Sequence, residues 1–180
     1  MIRIVKVIAA LVVAASATLA WVPTSSAEEG GDAETVVVGG RTYGPQDGVV
    51  VETQAVDVRP GMRTVGVLLG DGMRRATGVR PMASWGSSYA TSTEIVQLYY
   101  QGKAKAAANI HGGKRIIRVC FWYSRGGSVI SPTVCSNASS STGAWRAGPE
   151  KRDGVWDSLD PNAPVTKFHY SITKINPNVV

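Results

Sequence analysis

The sequence predicts a mostly β domain, an antiparallel sandwich or open barrel of about seven strands stapled by one hairpin disulfide. Three observations point there. Short runs rich in valine, threonine and aromatics are separated by Pro-Gly, Asp-Gly and Gly-Gly pairs, the pattern of strands and tight turns. Apolar and polar residues alternate at a period of two through the middle third of the chain. The only two cysteines, Cys120 and Cys135, flank a glycine-bearing turn.

The first residues bear on compartment. Arg3 and Lys6 precede an apolar run over 7–22, and Ser25-Ser26-Ala27 supplies small residues for a cleavage site. That order defines a secretory signal peptide over 1–27. The run is shorter than the roughly 20 residues that span a bilayer, which argues against an uncleaved anchor. No later stretch is as long and apolar, so the mature chain is expected to be secreted, with no membrane span. The acidic, glycine-bearing segment 28–34 reads as a disordered tail. Residues 35–180 then make one β-rich domain, long enough for a core of its own.

Net charge is +6, of which the leader's Arg3 and Lys6 carry two units. The moderate excess left after cleavage suits anionic envelope polymers or acidic partners. It falls well short of the dense Lys/Arg stripe of a nucleic-acid binder.

Strand-like runs follow in order. Thr35 to Tyr43 ends at Gly44-Pro45; Val49 to Val58 follows Asp47-Gly48; Arg63 to Leu69 follows Pro60-Gly61 and closes at Gly70-Asp71-Gly72. Met73 to Ser92 is less regular. Val165 to Ile175 alternates again, with Phe168, Tyr170 and Ile172 on one face and His169 on the other.

From Glu94 to Ala108, Val96, Leu98, Tyr100, Gly102, Ala104 and Ala106 share one parity, while Tyr99, Gln101, Lys103 and Lys105 share the other. A helix over 92–109 is the alternative and would make the fold α+β. Thr91 and Glu94 have capping-box spacing, and "KAKAAA" favours helix. A turn at Gly112-Gly113 nevertheless sets Ala104 beside Phe121, Gly102 beside Tyr123 and Lys103 beside Trp122, so small side chains meet large ones. A second turn at Gly127-Ser128 sets Cys120 opposite Cys135 and predicts a bridge between them. That register places the cysteines at a hydrogen-bonded pair, where Cα atoms are further apart; a bulge would shift it. Closing a loop of this size stabilises by about 3 kcal/mol in the chain-entropy model, reason enough for the cysteines in a secreted domain.

Catalysis has little to stand on. The chain has two histidines, His111 beside a turn and His169 on a polar strand face, and no G-x-S-x-G, H-E-x-x-H or phosphate-cradling loop. "DSLDPNAP" offers Asp157, Asp160 and Asn162, but without EF-hand spacing these read as turn formers. No cofactor or metal is expected.

Two places gather aromatic faces and cations. Lys103, Lys105, Arg118 and Trp122 share the polar face of the predicted three-strand meander, where cations around an indole suit anionic or carbohydrate groups. An ordinary cross-strand cation–π pair is the plainer explanation. The segment 137–164 reads as a long loop carrying Trp145 and Trp156, which either pin it to the core or present a recognition surface. Asn137-Ala138-Ser139 matches a glycosylation acceptor.

The expected function is therefore non-catalytic: binding of a glycan, an anionic polymer or a protein at or outside the cell envelope. A small secreted hydrolase and a purely structural surface component are the alternatives. A pocket joining a histidine to a hydroxyl and a carboxylate would favour the hydrolase, and a flat aromatic-basic face would favour binding.

Overall fold

In the computed structural model, β8 (Lys114–Arg125) is the central strand. Its β-branched and aromatic run lays Val119, Phe121 and Tyr123 on one face, all buried. The structure describes residues 35–69, 87–141 and 144–179; the leader and acidic tail read over 1–34, and most of the irregular stretch after Leu69, lie outside them.

One edge of β8 pairs antiparallel along most of its length with β14 (Thr166–Ile175), which pairs in turn with β3 (Val50–Val58). Its other edge takes three short partners in succession: β7 (Ile110–His111), β10 (Val134–Asn137) and β9 (Ser128–Val129). The second sheet runs β13-β6-β5-β4, with β4 at Thr64–Leu69, β5 at Ser88–Val96, β6 at Tyr99–Lys105 and β13 at Lys151–Trp156. Two small ribbons complete the described residues, β1 (Val36–Val38) with β2 (Arg41–Tyr43), and β11 (Ser139–Ser141) with β12 (Ala144–Arg146). No α-helix occurs among the described residues, which carry only two 3-10 turns, at Pro45–Asp47 and Pro177–Val179.

The two large sheets face each other across one apolar core. Tyr100 and Ala104 from the second sheet, with Ala106 just beyond β6, meet Val119, Phe121, Phe168, Tyr170 and Ile172 from the first. Ser92 and Tyr123 join the sheets by a buried hydroxyl–hydroxyl hydrogen bond of 2.8 Å. A second cluster packs Val36, Val38 and Tyr43 of the β1–β2 ribbon on Ile117 and Ile175. Ile117 reaches it because the β8–β14 register slips by one residue there.

The antiparallel sandwich and the Cys120–Cys135 bridge are as the sequence predicts, while three expectations are corrected. The first concerns the stretch from Glu94 to Ala108, which is not one strand. Its chain reverses at Gln97-Leu98, with Leu98 at φ 67°, and Glu94 Oε1 accepts the Leu98 N–H at 3.2 Å. The glutamate that resembles a helix cap therefore caps a hairpin. Nor does β6 pair with β8. The Gly112-Gly113 turn does set Ile110 opposite Arg115 and His111 opposite Lys114, but the ribbon ends there. Residues 106–109 cross between the sheets, with Ala108 at φ 55°. Their backbone groups find partners without a helix: Ala107 N–H donates to Ser88 Oγ at 2.9 Å, Ala106 O accepts from Gly148 at 2.7 Å, and Asn109 O accepts from Ile116 at 3.0 Å.

The second correction moves a turn. The reversal lies at Gly126-Gly127, with φ of 56° and 83°, rather than at Gly127-Ser128. Two extra residues then bulge between β9 and β10, where Ser131 Oγ accepts the Tyr123 N–H at 2.8 Å. The bulge restores the register Cys135↔Cys120, and the one-residue shift of the turn puts that pair at a non-hydrogen-bonded position. The Cα atoms are accordingly close, 4.0 Å apart.

Third, the segment 137–164 is not a loop throughout, since it holds β11, β12 and β13. Strand β13 escapes notice in the sequence because it is an edge with a glycine inside, and Val155 is its single fully buried side chain.

Candidate functional site

The outer face of the second sheet follows from the parity of β6. Tyr100 and Ala104 point into the core, so Tyr99, Gln101, Lys103 and Lys105 point out. Register supplies their neighbours: Trp156 beside Tyr99, Gly154 beside Gln101, and Arg152 beside Lys103 on β13. On β5, Thr93 lies beside Gln101, Thr91 beside Lys103 and Tyr89 beside Lys105. Three cations and three aromatic rings thus share one sheet face.

Gly154 makes room on it. A Cβ there would stand 2.4 Å from Tyr99 Oη, so the Tyr99 ring lies across the glycine toward Trp156. The two rings sit 5.0 Å apart at 50°, and Trp156 remains 64% exposed. At the other end, Glu150 accepts Arg152 Nε–H at 2.5 Å and the Tyr89 hydroxyl. Burial would raise the Glu150 pKa; the bonds from Tyr89 and Arg152, with the charges of Arg152 and Lys103, hold it below its usual value instead. One carboxylate is thereby set against Lys103 and Arg152.

Arg118 and Trp122 do not join this face. They stand on the outer face of the first sheet, because β8 stacks over β6 instead of pairing with it. Arg118 donates from Nη2 to Cys135 Sγ at 3.1 Å. Trp122 stacks on His169, with centroids 5.2 Å apart and planes 9° from parallel. Ser124 Oγ lies 2.7 Å from His169 Nε2, and these residues line an open groove of about 620 Å³ with Asp57 and Lys167. Burial, and then the Lys167 charge, lower the His169 pKa. His111 stays at the Gly112-Gly113 turn, opposite Lys114.

Trp145 is half-buried against both core clusters, its ring 6.0 Å from Tyr43, and so pins β12 to the core. The predicted surface groups divide accordingly: Lys103, Lys105 and Trp156 come together, Arg118 and Trp122 lie on the opposite outer face, and Trp145 packs inward. Tyr99 and Gln101 were legible as the outward parity of β6. Arg152 was hidden inside a segment read as loop, and the groove depends on a β8–β14 register that no local pattern encodes.

Asp157 closes one end of the sandwich. It accepts Thr166 Oγ1–H at 2.6 Å, Ser158 N–H at 2.9 Å, Tyr100 O–H at 3.0 Å and Arg125 Nη2–H at 3.0 Å, tying β6 to β8 and β14. Burial opposes its charge, but these bonds and the Arg125 guanidinium hold its carboxyl below the usual range. No cluster of metal-ligating side chains occurs among the described residues, and no helix among them is long and apolar enough to cross a membrane. Asn137, in the glycosylation pattern, is exposed and donates from Nδ2 to Val37 O at 3.2 Å.

Comparison with protein-family models, curated proteins and solved structures finds no match to this chain.

Proposed function

We propose that the protein is exported and acts without catalysis, by holding an anionic glycan against the outer face of the second sheet. One observation carries the reading: Lys103 and Arg152 are register neighbours on the same face as the Tyr99–Trp156 ring pair. Aromatic faces accept the C–H surface of a sugar ring, and the ammonium and guanidinium groups pair with its carboxylate or sulfate substituents. The outward positions from Tyr99 to Lys105 extend roughly 20 Å along β6, which suits an extended chain better than a small molecule. Export is supported by the basic-apolar-small order of residues 1–27 and by a disulfide that an oxidising compartment permits.

A secreted hydrolase is the second reading, favoured by the Ser124–His169 hydrogen bond. A triad also needs an acid on the other imidazole nitrogen. Asp57, the carboxylate in that groove, is 3.7 Å from Arg59 as its ion-pair partner. Binding is therefore the reading kept.

Retention on an immobilised polyuronate tests it. The protein should be held at low salt and elute as salt rises, because exposed charges are screened beyond about 8–10 Å at physiological ionic strength. A neutral glucan support should hold it less. Failure to bind polyuronate or sulfated glycan at low salt would leave the structural-component reading.

A further inference from the structure

We propose that the Trp122–His169 groove is a second binding site, on the outer face of the first sheet, for one or two units of an acidic sugar. It stands independently of the reading of the other face, since no residue is shared. Four features of the groove carry it.

Its size comes first: about 620 Å³ lies within the range of small-ligand sites. The turn at Gly126 packs on Pro164, where a Cβ at 126 would approach Pro164 Cγ to 3.3 Å, and this closes one end with Val129 and Val165 beside it. Next, the groove has an aromatic wall. Trp122 is only half-buried, and the imidazole of His169 supports its ring from below in a near-parallel stack. An indole fixed in this way meets the apolar face of a sugar ring with little conformational entropy left to lose.

Third, its charge is matched to an anion. Lys167 and Asp57 are register neighbours, yet Asp57 pairs with Arg59 at 3.7 Å. Lys167 is exposed and makes no ion pair with an acid among the described residues. Lys167 is the ammonium of the groove lining, beside an Asp57 carboxylate that is shared with Arg59. Last, Ser124 and His169 supply hydroxyl and imidazole groups suited to sugar hydroxyls. Ser124 Oγ and His169 Nε2 are hydrogen-bonded to each other at 2.7 Å, which leaves the remaining capacity of the hydroxyl and the other imidazole nitrogen for the sugar.

The probes are galacturonic acid and digalacturonic acid, titrated into the full chain and followed by NMR at the Trp122 indole N–H and the His169 ring. Both signals should shift and saturate, and neutral galactose should bind about tenfold more weakly or worse. Lys167→Ala should weaken the acidic sugars by about tenfold with an unchanged melting temperature, as its side chain is exposed. Trp122→Ala should abolish the shifts; Trp122→Phe, which keeps a ring, should restore part of the affinity if Trp122→Ala proves unstable. Lys103→Ala with Arg152→Ala should leave this titration untouched, separating the two sites. Equal affinity in wild type and Lys167→Ala would overturn the proposal, as would wild-type signals that do not move. Covalent labelling of Ser124 by a fluorophosphonate would also overturn it, in favour of an acyl-transfer site.

Discussion

Phe121 lies over Gly102 from the opposite sheet, so close that a Cβ at position 102 would stand 2.2 Å from Phe121 Cε2. The sequence predicts Gly102 beside Tyr123 and Ala104 beside Phe121 along a hydrogen-bonded ladder; the structure instead sets Gly102 against Phe121, across the core between the two sheets. Gly102→Ala forces the ring or the strand to move, an overpacking that should destabilise by about 1–3 kcal/mol. Phe121→Leu should recover part of that loss in the double variant, because the two changes share one contact. Urea unfolding of the two single variants and the pair measures the coupling; strict additivity would mean the packing is wrong.

The disulfide fastens β10 to β8 on the outer face of the first sheet. Replacing both cysteines by serine should lower stability by about 2–4 kcal/mol, the loss expected for a loop of this length. The part of polyuronate binding that depends on Trp156 should be unchanged in the folded variant, since Lys103, Arg152, Tyr99 and Trp156 belong to the other sheet. Denaturant titration with mass spectrometry of the unreduced protein reads both. Two thiols in the oxidised wild type would contradict the pairing.

Parity was legible and adjacency was not. The alternation of β6 and of β14 told which side chains point inward, because a strand reports its own two faces. Which sheet a strand joins depends on where the chain leaves its first partner, and the crossover at residues 106–109 is held by Ser88, Asn109 and Gly148, all distant from the KAKAAA segment or outside its pattern. The Cys120–Cys135 register follows from either position of the turn, because the two residues that bulge near Ser131-Pro132 offset the one-residue shift of the glycine turn. Trp156 was visible as an aromatic worth testing. Its partners were not, since β13 lacks the alternation of a half-buried strand.

Asp157 should be a stability determinant. Asp157→Asn keeps the shape but loses the charge that faces Arg125, and should lower stability by about 2 kcal/mol near neutral pH. Its folded pKa is held below the unfolded value. The stabilisation is therefore present above the unfolded pKa and is lost as pH falls through the folded one. Melting curves from neutral to strongly acid pH should converge for wild type and variant at the acid end; parallel curves would contradict the role.

His169 gives a second pH dependence. Burial and Lys167 lower its folded pKa, so the unfolded chain takes up the proton first as pH drops. Stability is then full above the unfolded value of about 6.5 and declines below it, levelling once the folded ring is also charged. His169→Gln should remove that decline near pH 6 while leaving the Asp157 transition in place. Thermal melts in steps across this range check it, and an unchanged slope would rule the histidine out.

The most direct test of the binding face is calorimetric titration of polyuronate, in a Lys167→Ala background that weakens the Trp122–His169 groove, into the otherwise wild-type protein, Trp156→Ala and the triple variant Lys103→Ala, Lys105→Ala, Arg152→Ala. These side chains lie on an outer sheet face, so the variants should fold and melt as wild type does within about 0.5 kcal/mol. Trp156→Ala should weaken binding by about tenfold at every salt concentration, about 1.4 kcal/mol. The triple variant should weaken it at least as much and flatten its dependence on salt. Wild-type affinity and an undiminished salt slope in the triple variant would place the site elsewhere on the molecule and contradict the assignment.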